Sequence, residues 1–344
     1  MHEAVIVIAD LYLLSDELPG GPEVQPGALA GLEYAGRFGE RARLDAGWRA
    51  WLAHWLGRGD LAGVSVAAVA GAAAGHDAAT RWIATPVELV AGLTRVHLGR
   101  RGIVRLTAQE QTALADAFER TFAGSGAVLR PLSDGQFLAV TPGIAALATT
   151  EPARCAGGLL VVPQGAAAAP LLRLIAEIEM WLHAAALNEA RIARGAAPVT
   201  GLWLWGATGA ALPAVRPPPA AGEGVRPGAT AAFGSDAFVS GLLRLDGRVM
   251  QTLPQRPETV FADPSAERAV VVVELAGELP GQEWSLPAAA AALDRRLIQP
   301  ALAALRDGSL ERLILIANDT RIALGRRSGL KRWRRARAGL AALA

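Results

Sequence analysis

The 344-residue sequence has almost no cysteine and almost no lysine. Its single cysteine, Cys155, excludes an internal disulfide bond and any metal site built from several cysteines. This fits a reducing compartment, so we expect a cytoplasmic protein. No apolar run reaches the roughly 20 residues that a membrane-spanning helix needs, and the first ten residues lack the basic segment of a secretory signal. We therefore expect no membrane span.

Positive charge is concentrated near the end of the sequence. Seven basic residues, among them the only lysine, Lys331, lie in a basic tail at residues 326–344, while the formal net charge of the whole chain is only +2. The remainder is net negative and would repel nucleic acid. The tail could bind nucleic acid or an acidic partner. We rank this hypothesis third, after the two that are given at the end of this section. We do not expect nucleic acid as the main partner.

Three apolar runs predict strands that are buried in a parallel sheet. Residues 5–9 form a β-branched run that ends at Asp10, and similar runs cover residues 269–274 and 310–317. A predicted helix at residues 286–305 separates the last two. Strand, helix, strand in this order is typical of a parallel crossover in an α/β fold.

Helical spacing and capping residues predict three more helices. One covers residues 44–56 and carries a tryptophan stripe, for which core packing is the favoured interpretation over ligand stacking. The second begins at a capping box formed by Thr107 and Glu110. The third covers residues 171–193. Residues 207–230 are rich in proline and glycine and predict a loop.

The most specific motif runs from Asn188 and Arg191 through Gly195 and Pro198 to the Trp-Leu-Trp-Gly segment at residues 203–206. It resembles the archaeal-type cofactor-independent phosphoglycerate mutases of the alkaline-phosphatase-like superfamily, and an uncharacterised proteobacterial branch of regulatory relatives. The resemblance is strongest over residues 80–210.

The resemblance implies an α/β fold with a parallel-rich, alkaline-phosphatase-like sheet between helices. Both ends of the chain, residues 1–97 and 186–344, would form this discontinuous core. Residues 98–185 would form a small inserted α+β module.

The sequence departs from this family at the residues that carry its chemistry. The resemblance implies two divalent metals, held by Asp and His, that activate a serine to carry a phosphoryl group. Asp10 matches the first-strand aspartate, but Ser65 is displaced by one residue from the position of the serine. Residues 274–283 contain no histidine, and residues 318–321 read Asn-Asp-Thr-Arg where Asp-His-Ser-Thr is expected. None of the five histidines has HxH or HxxxH spacing, so we expect no metal or other cofactor.

Four residues remain as candidates for binding a ligand: Asp10, Asn188, Arg191 and Asp319. Asn188 and Arg191 lie three apart on one predicted helical face and suit a phosphate or carboxylate. A salt bridge at the root of the inserted module is an equal alternative. Asp10 and Asp319 both end predicted strands, and for them a helix cap or one weakly held ion is favoured over catalysis.

The first functional hypothesis is therefore a catalytically degenerate, phosphoglycerate-mutase-like protein with a binding or regulatory role. Its partner would be a phosphorylated small molecule or another protein. The second hypothesis is an active phosphoglycerate mutase or phosphatase that uses Mn or Zn in a rearranged site.

Overall fold

The computed structural model describes residues 1–12, 28–75, 80–91, 96–132, 134–210, 212, 230–263, 266–278, 285–330 and 339–343. Most of the predicted loop at 207–230 and the centre of the basic tail lie outside the described residues. The chain forms two compact units. The first contains Met1–Leu52, Pro219–Ser235 and Val249–Ala344, and the second contains Ala53–Pro218 and Asp236–Arg248.

Helices and strands alternate along most of the described chain. The helices are α1 Ala30–Phe38, α2 Gly47–Trp55, α3 Val66–Ala73, α4 Ala108–Phe122, α5 Pro152–Cys155, α6 Ala169–His183, α7 Ala186–Ala193, α8 Ala237–Leu245, α9 Glu258–Ala262, α10 Leu286–Leu293 and α11 Gln299–Asp307. The strands are β1 Glu3–Ile8, β2 Glu40–Arg43, β3 Arg81–Ala91, β4 Val96–Ile103, β5 Val128–Pro131, β6 Phe137–Val140, β7 Gly158–Leu159, β8 Gly201–Trp205, β9 Thr230–Gly234, β10 Arg268–Val273, β11 Arg312–Ala317 and β12 Thr320–Gly325. None of the helices in the described ranges is long and apolar enough to cross a membrane.

The first unit contains a six-stranded sheet in the order β2-β12-β11-β1-β10-β9. Strands β9, β10, β1 and β11 are parallel, whereas β12 pairs antiparallel with both β11 and β2. Val5 of β1 is aligned with Val270 on one side and with Ile314 on the other. The predicted parallel-rich α/β fold is confirmed, and the strands of this sheet come from residues 3–43 and 230–325.

The predicted helix at 286–305 contains a turn of π-helix, Asp294–Ile298, between α10 and α11. Asp294 lies in this turn with no solvent exposure. Its carboxylate accepts hydrogen bonds from the amides of Gly31 (3.0 Å) and Leu32 (2.7 Å) and from Nε2 of Gln299 (2.8 Å). A Cβ on residue 31 would lie 2.6 Å from Oδ1 of Asp294, so glycine permits this approach. The π turn thus places a carboxylate at the N-terminus of α1, where it stabilises the unpaired amides.

A two-residue turn joins β11 to β12. Ala317 pairs with Thr320, and the two residues between them, Asn318 and Asp319, have φ of 52° and 50°. Positive φ at both central residues is the geometry of a type I′ hairpin turn, and asparagine and aspartate tolerate it better than most side chains do. The polar residues after the last parallel strand therefore turn the chain back along the sheet.

The second unit contains an antiparallel sheet in the order β5-β6-β3-β4-β7, with β8 paired to β3. The segment predicted as an inserted module, residues 98–185, lies within this unit. Its neighbours β3 and β8 lie in the same sheet. The buried side chains of the sheet pack against α4 and α6, which supply Phe118 and Ile178 to the same core.

The two predicted helices of this unit have different outcomes. Helix α4 has the predicted capping box, because Thr107 Oγ1 accepts from the Glu110 amide and the Glu110 carboxylate accepts from the Thr107 amide. The helix predicted over 171–193 is interrupted between α6 and α7, where Ala185 has an extended conformation. Asn188 then donates to the carbonyl of Leu182 (2.8 Å), which provides a partner for a carbonyl at the end of α6.

Candidate ligand site at the carboxyl edge of the parallel sheet

Asp10 lies just beyond the carboxyl end of β1, the central strand of the parallel sheet. Its Oδ1 accepts a hydrogen bond from the Leu275 amide (2.7 Å), and its Oδ2 accepts one from the Ala276 amide (2.9 Å). These amides begin a 3-10 turn, Leu275–Gly277, that follows β10. Unpaired amides at a helix start attract anions, so the Asp10 carboxylate occupies the position that a bound anion would take.

The other side of β1 is joined to the β11–β12 turn. The Asn318 amide donates to the carbonyl of Leu11 (2.9 Å), and the Leu44 amide donates to the carbonyl of Asp319 (2.8 Å). Hydrogen bonds therefore join the end of β1 to the segment after β10 on one side and to the segment after β11 on the other. These bonds bring the segments that carry Asp10 and Asp319 together, as expected for residues that end neighbouring parallel strands.

The described residues do not fit the metal pair that the resemblance implies. No group of three or more His, Cys, Asp or Glu side chains in these residues is placed to hold a metal ion. Asp10 directs both carboxylate oxygens at amide hydrogens, whose positive dipole ends disfavour a cation at the same place. Glu278, at the end of the 3-10 turn, is paired with Arg296, whose Nε lies 3.1 Å from its carboxylate.

Ser65, the displaced counterpart of the family serine, is the N-cap of α3. Its hydroxyl accepts from the Ala68 amide (3.1 Å) and donates to the carbonyl of Gly206 (2.7 Å), and the residue is only 6% exposed. The hydroxyl proton thus faces a carbonyl rather than a base that could remove it. The geometry assigns Ser65 a structural role in starting the helix.

Asn188 and Arg191 belong to the second unit, and both are buried. Asn188 donates to the carbonyls of Leu182 and Val199 and accepts from the Val199 amide, each at 2.8 Å. Arg191 donates from Nε to the carbonyl of Ala197 (2.7 Å) and from Nη1 to the Glu110 carboxylate (2.7 Å). Arg191 therefore forms a salt bridge to the segment predicted as the inserted module, which is the alternative that the sequence left open.

Glu110 is the anionic centre of this buried group, since Arg194 also contacts its carboxylate. Burial opposes ionisation of Glu110. The hydrogen bond from the Thr107 amide and those from the two guanidinium groups outweigh it and lower the pKa of Glu110 from 4.5 to about 2. The carboxylate is ionised throughout the physiological range and fastens α4 to α7.

A second buried carboxylate group was not expected from the sequence. Asp134 and Asp236 are 3% and 4% exposed. Asp134 accepts from the Gln136 amide (3.1 Å), and Asp236 caps α8 through the Val239 amide (3.0 Å). Burial and the neighbouring Asp236 charge raise the pKa of Asp134. The capping role of Asp236 has a sequence signal, because an aspartate directly before an apolar helical run is a typical N-cap.

Comparisons with known proteins give distant likenesses. No protein-family model matches the chain, and no curated protein does. Among solved structures it is similar to the cofactor-independent phosphoglycerate mutase of Thermoplasma acidophilum, with 13% identity over 94% of this chain and 90% of that chain, and a TM-score of 0.35. It is also similar to a Pyrococcus horikoshii protein, with 13% identity over 94% of this chain and 87% of that chain, and a TM-score of 0.44. The family assignment stays a prediction from the sequence motifs.

Proposed function

We propose that this protein is a catalytically degenerate relative of the phosphoglycerate mutases and acts by binding a partner. The observation that carries the proposal is the Asp10 carboxylate, whose two oxygens each accept a backbone amide hydrogen. Each oxygen of Asp10 accepts an amide hydrogen at the start of a 3-10 turn, so the carboxylate already has a structural role there, and the described residues supply no group of three His, Cys, Asp or Glu side chains to hold an ion with it. Ser65, engaged as a helix cap, supports the same proposal from an independent position.

The same geometry favours a protein partner over a phosphorylated small molecule. The amides of Leu275 and Ala276 both donate to the carboxylate of Asp10, so they are not available to an anionic ligand. A phosphate in the same position would meet the carboxylate of Asp10 at close range. Arg191, the other candidate for an anionic ligand, is buried and already bonded to Glu110.

The proposal is tested with the purified full chain and its Asp10→Asn variant. We expect no interconversion of 2- and 3-phosphoglycerate with Mn²⁺ or Zn²⁺, measured by phosphorus NMR, and no metal-dependent shift in melting temperature. Asp10→Asn should lower the free energy of unfolding by about 1–2 kcal/mol, because asparagine has one acceptor oxygen and leaves one of the two turn amides facing its NH2 group. That loss should be equal with and without metal.

Asp45→Asn is the matched control, since Asp45 lies in the same unit with a side chain that is 91% exposed. It should change the stability little. Binding of two metal equivalents together with turnover that Asp10→Asn abolishes would instead support the hypothesis of an active mutase or phosphatase with a rearranged site.

A further inference from the structure

A cavity of about 510 Å³ lies beside β9, the edge strand of the parallel sheet. The described residues that line it all belong to the first unit: Phe233, Pro254, Thr259, Val260, Ala262 and Asp263. Strand β10 lies between β9 and β1, and Asp10 is not among the described lining residues. A volume of this size is typical of sites that bind small molecules.

Most of the lining is apolar and belongs to the core. Phe233 of β9 and Val260 of α9 pack in the hydrophobic core of the first unit and are 9% and 2% exposed. Pro254 and Ala262 add further apolar atoms, and Ala262 is exposed. An apolar group that enters the cavity therefore loses contact with water on several sides, which favours a ligand with an apolar body.

One side of α9 supplies the polar part of the lining. Thr259, Ala262 and Asp263 are spaced i, i+3 and i+4 along α9 and the residue that caps its C-terminus, so they lie on the same side. The Thr259 hydroxyl donates its proton to the carbonyl of Arg256 (2.7 Å), so its oxygen can offer a ligand only an acceptor. The carboxylate of Asp263 is also an acceptor.

The polar lining determines the charge of the ligand. Among the described lining residues, Asp263 carries the only formal charge, and it is negative. An anion would be repelled by Asp263, whereas a cation can donate a charge-assisted hydrogen bond to it. The ring of Phe233 also attracts a cation through its negative face. We propose that this cavity binds a small organic cation, a primary amine that is attached to an apolar body.

The test is a titration of the full chain with 2-phenylethylammonium, followed by saturation-transfer NMR of the ligand. For a molecule of this size we expect a dissociation constant of about 1 mM or below. The neutral analogue 2-phenylethanol and the anionic analogue 3-phenylpropanoate carry the same ring. Both should bind about tenfold or more weakly, because neither donates a charge-assisted hydrogen bond to Asp263.

Two variants change the cavity independently. Asp263→Asn removes the charge and keeps the size of the side chain, and Ala262→Trp fills the cavity from its exposed side. Each should raise the dissociation constant of 2-phenylethylammonium about tenfold or more. Glu258→Gln is the matched control, because it removes an exposed carboxylate from the same helix that is not among the described lining residues. It should leave the affinity unchanged.

Circular dichroism checks that each variant is folded, and the comparison of the three ligands on the wild-type chain decides the proposal even where a variant does not fold. Absence of binding up to about 10 mM would overturn the proposal. So would equal affinities for the amine and 2-phenylethanol, which indicate an apolar cavity without selectivity for charge. Equal weakening by Asp263→Asn and Glu258→Gln would also overturn it, because the attraction would then be general to the negative surface.

Discussion

The two units satisfy their carboxylates in different ways. In the parallel-sheet unit, Asp10 and Asp294 accept hydrogen bonds from backbone amides where a helix or 3-10 turn begins. In the antiparallel unit, Glu110 combines one amide with two arginines, and Asp134 lies close to the charge of Asp236. The amides that donate to Asp10 and Asp294 are part of the backbone and cannot be removed by substituting a side chain. Glu110 in the second unit depends on two arginine side chains as well as an amide, so its surroundings are more easily changed by mutation.

Among the carboxylates compared above, removing that of Asp294 should lower the free energy of unfolding the most. Asp294→Ala leaves the amides of Gly31 and Leu32 without their acceptor inside the core, so we expect the free energy of unfolding to fall by about 3–5 kcal/mol. Urea denaturation measures the loss. Asp294→Asn keeps one oxygen acceptor and should lose less. A loss below about 1 kcal/mol in the alanine variant would show that the backbone amides of α1 do not need this anion.

Removing Arg191 should have the next largest effect. Arg191→Ala should destabilise the protein by about 2–4 kcal/mol, because it leaves the buried Glu110 carboxylate with one half-exposed arginine and one amide donor. Arg194→Ala is the control and should cost at most about 1 kcal/mol, since the Arg194 side chain is 51% exposed. Equal losses in the two variants would contradict the importance of burial.

The pH dependence of the free energy of unfolding also tests the ion pairs of Glu110. The pKa of Glu110 is lowered from 4.5 to about 2. Its contribution to the free energy of unfolding is therefore fully present above pH 4.5 and is lost as the pH falls towards 2. Glu110→Gln should flatten that part of the stability curve.

Neutralising Asp134 should have the smallest effect and the opposite sign. The pKa of Asp134 is raised, so its folded state favours the protonated form, and the stability it provides below pH 3.8 is lost as the pH rises through the folded-state pKa. At pH 7, Asp134→Asn should therefore increase the free energy of unfolding, on the order of 1 kcal/mol. Exposed Asp116, on α4, provides the control variant Asp116→Asn. A destabilised Asp134→Asn protein would show that the hydrogen bonds to Gln136 outweigh the repulsion.

Local sequence patterns predicted the helices and strands better than they predicted the points where a helix breaks or a strand turns back. The β-branched run at residues 5–9 led to β1, and the spacing of Thr107 and Glu110 led to the capping box, because both signals lie within one element. At the break between α6 and α7, Asn188 forms hydrogen bonds with Val199 across a loop. The spacing of apolar residues in a helix carries no information about such a contact. The hairpin turn at Asn318 and Asp319 does have a sequence signal, because two turn-forming residues lie there between two apolar runs.

The candidate site was predicted less completely than the fold. Asp10 and Asp319 were expected at strand ends, and their segments do lie together at one edge. The partners of Asp10 could not be predicted, because the amides of Leu275 and Ala276 carry no side-chain signal. The prediction of one continuous helix at 286–305 did not include the π turn around Asp294, whose extra residue shifts the later apolar positions by one.

The position of β1 fixes an order of events during synthesis. Strand β1 lies between β10 and β11, and both of these neighbours are made only after the residues of β3 to β8. Until then the apolar residues of β1 lack these two partners, while the described strands of the antiparallel sheet, the last of which ends at Trp205, have already been made. The sheet that holds Asp10 must therefore be completed after the antiparallel sheet, and its long-range pairing is of the slow kind that leaves apolar strands available to chaperones.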